Sequence, residues 1–190
     1  GTSVSGIGLV AGKLCMINSN VGTRKGGSVD YTTVYKGFRV GHITRECRLP
    51  TINMVESGGA NLPDQAKIFN VGGEGYREIT RRSEKGIPTI SVVFGNATAG
   101  GAYIPGMSDY AIFQKQAAIV FLAGPPLVKM ATNEDATDEE LGGAEMHSRI
   151  SGVSDYLAED EFDAIRQARE IMEFIPAGDP HLVPDGEIQE

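Results

Sequence analysis

Short apolar runs broken by glycine- and asparagine-bearing turns fill the first two thirds of the chain, and helical spacing takes over toward its end. Residues 6–17 alternate in a way that predicts two β-strands joined near Gly12-Lys13, with Asn18-Ser19-Asn20 closing the pair. Lys25-Gly26-Gly27-Ser28 is a polar loop. Val34, Phe38, Ile43 and Cys47 then recur at helical spacing, predicting a helix from Thr32 or Thr33 to Arg48 despite Gly37 and Gly41. Residues 51–55 form a strand entered through Pro50, which runs into Glu56-Ser57-Gly58-Gly59-Ala60. A short helix or loop is expected through Leu62 and Phe69, a turn at Gly72-Gly73, and a polar helix over 75–84. The β-branched run 88–94 is the clearest strand and opens into Thr98-Ala99-Gly100-Gly101-Ala102-Tyr103, with a whole or broken helix over 99–108.

Two short strands follow at 110–113 and 118–122, stopped by Gly124-Pro125-Pro126, and then a helical turn at 127–132. Thr137 with Glu140 has the form of a capping box, and 143–150 is a further helix. The strongest helix covers 160–174, where Phe162, Ile165, Ala168 and Ile171 or Met172 share a face before Pro176. Strands alternating with helices at this spacing read as α/β. Twice a strand enters a small-residue Gly-Gly turn followed by a helix, and parallel strands would place both turns on the sheet edge that ligands favour. Glycines there remove side-chain bulk, so amides of Gly59 or Ala60 and of Gly100 or Gly101 become candidate donors of an oxyanion hole. The same glycines also suit positive φ or close helix–sheet packing, and both readings stand from the residues alone.

At 190 residues, 41% hydrophobic and 22% charged, the chain has the size and balance of one folded domain. Its 25 glycines are nearly twice the usual share of roughly 7% and sit between apolar runs, which fits many tight turns. A formal charge of -8 argues against nonspecific nucleic-acid binding, and no apolar stretch reaches membrane-spanning length. No signal peptide is expected at the start. Cys15 and Cys47 form no CxxC unit and are expected as buried thiols in a reducing compartment; His42, His147 and His181 form no metal-binding pattern. Gly6-x-Gly8-x-x-Ala11 and Gly12-Lys13 imitate nucleotide motifs, but no helix follows the first and Leu14 stands where the second needs Ser or Thr. No Gly-x-Ser-x-Gly elbow is present, and Glu56 is a weak candidate actor. Arg24, Lys25 and Lys36, with Arg39 beyond, either meet the phosphates of a nucleotide-like carrier or solvate a surface, and Gly124-Pro125-Pro126-Leu127 either lines a channel or meets a subunit.

These turns belong to a longer series of blocks. Lys25-Gly26-Gly27, Glu56-Ser57-Gly58-Gly59-Ala60-Asn61-Leu62-Pro63, Lys85-Gly86-Ile87-Pro88 and Thr98-Ala99-Gly100-Gly101-Ala102-Tyr103-Ile104-Pro105 come first. Phe121-Leu122-Ala123-Gly124-Pro125-Pro126-Leu127-Val128-Lys129, Glu140-Leu141-Gly142-Gly143-Ala144 and Ser151-Gly152-Val153-Ser154-Asp155 follow. In this order they resemble the N-terminal crotonase-like half of the carboxyltransferase (β) subunit of biotin-dependent acyl-CoA carboxylases. The resemblance implies a ClpP/crotonase-like spiral of ββα units over residues 1–176, with a polar tail at 177–190. It implies transfer of CO₂ from carboxybiotin to an acyl-CoA enolate, a ligase component whose proton acceptor is the departing biotin. Gly59, Ala60, Gly100 and Gly101 would then hold the thioester oxygen, while Ser57, Gly58, Ala102, Tyr103, Arg24, Lys25 and Lys36 would serve the coenzyme A side, with no metal.

Asn61-Leu62-Pro63 and the Gly-Pro-Pro-Leu-Val-Lys block resemble the methylcrotonyl-CoA and geranyl-CoA branch, which implies a branched unsaturated acyl-CoA such as 3-methylcrotonyl-CoA. Expected partners are the missing C-terminal carboxyltransferase half, a biotin carboxylase and biotin carrier, and further copies in a hexameric core, with no nucleic acid and no membrane. The expected location is cytoplasmic, or the mitochondrial matrix in a eukaryote, and the chain alone is expected to be inactive. Glu56 stands where the family more often has Asp, Asn96-Ala97 replaces a small or cysteine-containing pair, and the stretch 70–77 is about three residues short. Alternatives from the same hole are a crotonase-like hydratase or decarboxylase with a side-chain acid or base, or a non-catalytic CoA-binding or assembly module.

Overall fold

The structure is a computed structural model that describes residues 1–176; the polar tail expected at 177–190 lies outside the described residues. Strands β1 (Ser3–Val10) and β2 (Lys13–Asn20) pair antiparallel around Ala11 and Gly12, both of which take the positive φ that a tight hairpin turn requires. β2 runs on through Asn18-Ser19-Asn20, because β1 pairs with it as far as Asn20 and β3 as far as Ser19. The next strands, β3 (Thr51–Ser57), β4 (Thr89–Thr98) and β5 (Tyr110–Gln114), lie parallel and extend the sheet in the order β1-β2-β3-β4-β5. β4 is long enough to pair β5 with its first half and the short β6 (Ile119–Phe121) with its second. β7 (Tyr156–Ala158), which the sequence pattern does not reveal, exists by pairing with β5.

Parity assigns the two faces. Ile52, Ile90, Val92 and Ile112 point to the face covered by α7 (Glu161–Phe174), whose Ala164 and Ala168 let the helix approach closely beside Ile171 and Met172. Burying each such aliphatic side chain is worth roughly 1.5–3 kcal/mol relative to leaving it in water. Asp160 caps α7 by accepting the Asp163 amide at 2.8 Å. Lys13, at the β1–β2 turn, donates its ammonium to the carbonyls of Met172 at 2.6 Å and Glu173 at 2.8 Å, and also to that of Ile175. On the opposite face Val55, Val93 and Phe113 pack with Ala97, Ala102, Val120 and Ala144 toward the C-terminal ends of the strands. The rest of that face lies under α1 (Tyr31–Glu46) and α2 (Gln65–Glu84), where Arg82 Nη1 donates to Thr51 Oγ1 at 2.5 Å.

α2 is one helix through Gly72-Gly73, where the sequence predicts a turn. Ile68 and Ile79 bury at helical spacing on its inner face, and that packing offsets glycine's helix cost of about 1 kcal/mol per residue. The expected helix over 99–108 is broken, into a 3₁₀ turn (Ala99–Ala102) and α3 (Tyr103–Gly106). α4 (Pro125–Thr132) begins on its two prolines, and α5 (Asp138–Gly142) carries the expected capping box of Thr137 and Glu140. α6 (Ala144–Met146) passes into a π-helical turn over His147–Ser151. Both cysteines are free; Cys15 is buried, with burial pushing its thiol pKa up, but Cys47 is exposed because it caps the end of α1 outside the core. No helix among the described residues is long and apolar enough to cross a membrane.

Candidate active site

β3 and β4 run in register from Thr51↔Thr89 to Val55↔Val93 and then slip, so that Ser57 lies opposite Ala97. Their parallel C-terminal ends deliver both glycine turns to the same place. Gly59 has φ +87°, and a Cβ added there would sit 2.9 Å from the Thr98 carbonyl oxygen. A Cβ on Gly101 would lie 3.2 Å from Ser57 Cβ, so each turn occupies the space a side chain on the other would need. Ala99 holds φ +52°, a left-handed conformation that a residue with a Cβ adopts at a cost. A third segment supports them: the Gly58 amide donates to Gly26 O at 2.9 Å, and a Cβ on Gly27 would fall 2.0 Å from Glu56 O. Lys25-Gly26-Gly27 is thus the floor on which the first turn rests.

The four candidate amides differ. Val29 accepts from Asn61 N–H at 2.9 Å and donates to Gly59 O at 2.8 Å. Extended-chain alternation then turns the Ala60 N–H away from Val29, and no backbone acceptor among the described residues receives it. Gly59 N–H is directed to Ser57 Oγ at 3.2 Å. Within the 3₁₀ turn capped by Thr98, Gly100 N–H precedes the first position that an i→i+3 bond can satisfy, and Gly101 N–H occupies that position. Ala60 and Gly100 are therefore the pair with donors to spare.

Tyr76, on the inner face of α2, donates its hydroxyl to Gly100 O at 2.8 Å and meets Tyr103 edge-on with ring centroids 5.5 Å apart. Burial, with a smaller contribution from Tyr103, raises the Tyr76 pKa and keeps it a phenol donor. The turns form one end of a cleft of about 870 Å³ between the α1–α2 pair and the sheet, lined there by Gly58, Gly59, Ala60, Gly100, Gly101 and Tyr103. This volume falls in the range of small-molecule sites.

The sequence-predicted residues divide cleanly. Gly58, Gly59, Ala60, Gly100, Gly101 and Tyr103 come together at the cleft, while Ser57 and Ala102 are buried behind it. Arg24, Lys25 and Lys36 do not line it; Arg24 Nη1 donates to Gly1 O at 3.3 Å and Lys36 Nζ to Ser3 O at 2.7 Å. The Glu56 carboxylate lies against Gly22 and Gly95 and does not line the cleft. Sequence reasoning missed Tyr76, whose helical spacing from Ile79 was its only signal. Among the described residues no group of three or more His, Cys, Asp or Glu side chains is arranged to hold a metal ion.

The profile of the carboxyl transferase domain matches residues 2–188. The chain belongs to this family. It is 59% identical over 169 residues to a probable biotin-dependent acyl-coenzyme A carboxylase beta2 subunit of Mycobacterium tuberculosis, covering 89% of this chain and 32% of that protein. It is 47% identical over 176 residues to the mitochondrial methylcrotonoyl-CoA carboxylase beta chain of Arabidopsis thaliana, covering 90% of this chain and 30% of the relative. Among solved structures, the beta subunit of P. aeruginosa geranyl-CoA carboxylase superposes with a TM-score of 0.87 at 44% identity, over 93% of this chain and 33% of that one. The mixed α/β, crotonase-like class expected from the sequence is the class of these carboxyltransferase neighbours. The chain spans about a third of the length of the relatives it matches.

Proposed function

We propose that this chain is the acyl-CoA-holding portion of a carboxyltransferase that moves CO₂ from carboxybiotin to an acyl-CoA enolate. The observation that carries the reading is the apposition of two glycine turns at the ends of adjacent parallel strands, each with an amide to spare, at the mouth of one cleft. Ala60 and Gly100 N–H groups would hold the thioester oxygen, and they would stabilise the negative charge that gathers there when the acyl carbon loses its proton. Deletion of one such donor typically costs about 2.7–4 kcal/mol of transition-state stabilisation. Because the donors are backbone, fixed by Gly59 on one turn and by Ala99 and the Tyr76 bond on the other, they need no reorganisation as charge develops. Carboxybiotin docked from a partner would supply the CO₂, and the biotin left behind would take up the proton.

The relatives named for methylcrotonoyl-CoA and geranyl-CoA support a branched, unsaturated acyl group. A biotin-bearing partner, a second carboxyltransferase half and further copies of the subunit would complete the assembly, in a cytoplasmic or matrix compartment that keeps both thiols reduced. The test is transfer of labelled bicarbonate to 3-methylcrotonyl-CoA by the full-length subunit with its biotin carboxylase and carrier. Labelled product that depends on biotin is the expected result. Acyl-CoA bound but never carboxylated by the complete assembly, or hydration and decarboxylation that need no biotin, would overturn the proposal.

A further inference from the structure

Beneath α1 and α2, Ser5, Asn18, Asn53 and Ser91 stand in one row across neighbouring strands, paired Ser5↔Asn18, Asn18↔Asn53 and Asn53↔Ser91. A sheet face roofed by helices ordinarily carries apolar side chains, so a continuous polar row there calls for a partner. Ser91 has one in Ser108, Oγ to Oγ at 2.7 Å, but Ser5, Asn18 and Asn53 line the cleft. Asn18 Nδ2 donates to Asn53 Oδ1 at 3.1 Å, while Asn18 Oδ1 is buried with no hydrogen-bond partner. Glu78 of α2 lines the same cleft at 5% exposure. Its Oε2 accepts from Arg45 at 3.1 Å, and its Oε1 has no hydrogen bond, with Arg81 Nη1 3.8 Å away. The floor therefore mixes both kinds of group: Asn18 Oδ1 is a spare acceptor, while the Asn53 Nδ2 amide and the Ser5 hydroxyl make no hydrogen bond among the described residues.

The roof has the opposite character. Phe38, Ile68 and Ile79 line it, together with Gly37 and Gly41 of α1 and Gly72 and Gly75 of α2. A Cβ at any of these four glycines would meet nothing within 4 Å, so the helices are hollowed where side chains would otherwise fill the space. A chain with an apolar body and one neutral group that both donates and accepts matches both surfaces. Arg45, Arg81 and Arg82 around Glu78 disfavour a cationic donor, and the spare carboxylate and amide oxygens disfavour an anion. A neutral hydroxyl remains.

We infer that the cleft selects an acyl chain bearing a hydroxyl toward its far end, which hydrogen-bonds to the Asn18–Asn53 row. This inference rests on the proposed function for the position of the thioester at the glycine turns. Asn53 precedes Ser57, the last residue of β3, by four residues of extended chain, about 13 Å at roughly 3.3 Å per residue, so the acyl chain reaching it is longer than a methylcrotonyl group.

The test compares acetyl-CoA, decanoyl-CoA and 10-hydroxydecanoyl-CoA by titration calorimetry on the full chain. The hydroxylated ester is expected to bind about tenfold more tightly than decanoyl-CoA, as one added neutral hydrogen bond allows. The Asn18→Val/Asn53→Val double variant, and Asn53→Val alone as the milder change, should bring that ratio to about one. Equal affinity for the two long esters, or a preference that survives both variants, overturns the inference. Acetyl-CoA binding without any hydroxyl preference overturns this inference and leaves the proposed function standing. Failure of all three thioesters, with 1,10-decanediol still bound in an Asn53-dependent way, overturns the thioester placement and supports the row.

Discussion

Replacing Gly59 by Ala separates two costs that the site combines. At φ +87° a Cβ is disfavoured for backbone reasons alone, by about 1–2 kcal/mol. In addition the new methyl would lie 2.9 Å from Thr98 O and 3.5 Å from Ala99 Cβ. The nearer contact is backbone belonging to β4, so the neighbour cannot swing aside, and overpacking of this kind costs a further 1–3 kcal/mol or so. Gly86→Ala is the matched control, because Gly86 has φ +68° and open space where the Cβ would go. Equilibrium urea unfolding of both variants should show Gly59→Ala losing about 1–3 kcal/mol more than Gly86→Ala at unchanged m-value. The excess is the energy of pressing the two turns apart, and the same variant should weaken acetyl-CoA binding measurably. Equal losses in the two variants would show that the turns do not abut, and the two-donor site would lose its geometric basis.

Gly100→Ala should clash with the Tyr76 hydroxyl, 2.7 Å from the added Cβ, so its cost should shrink in a Tyr76→Phe background; additive losses in a double-mutant cycle would contradict the packing described. Asp30, which caps α1, gives a pH signature. Burial pushes its pKa up, but hydrogen bonds from the Thr33 hydroxyl and amide, aided by Lys25, outweigh that and hold it below the ordinary carboxylate range. With the folded value depressed, its stabilisation is complete above the unfolded value of about 3.9 and disappears as pH falls through the folded one. Urea midpoints between pH 2 and 7 should therefore drop less steeply on acidification for Asp30→Asn than for the parent, and parallel curves would refute the assignment.

What the sequence made legible depends on how far each signal travels along the chain. The β-branched run 88–94 and the spacing of Ile165, Ala168 and Met172 are local; α7 lies where its pattern places it, while β4 continues past its pattern to Thr98 because β6 pairs with its second half. The 65–84 helix was obscured because Gly72, Gly73 and Gly75 read as a turn, whereas tertiary burial of Ile68 and Ile79 holds it together. β7 consists of only Tyr156–Ala158 and has no signal apart from its pairing with β5. At the candidate site the glycine turns were legible as motifs, but which amides stay free depends on Val29 and on the 3₁₀ turn. The row of Ser5, Asn18, Asn53 and Ser91 is invisible in the sequence, since residues up to 38 positions apart become neighbours only through strand register.

Lys13 gives the architecture a clasp. By gripping the last carbonyls of α7 from the hairpin at the other end of the sequence, its ammonium ties positions about 160 residues apart. The last carbonyls of a helix are the ones its own ladder leaves without donors, so a single ammonium here opposes fraying of α7 and couples any loosening of that helix to the first hairpin.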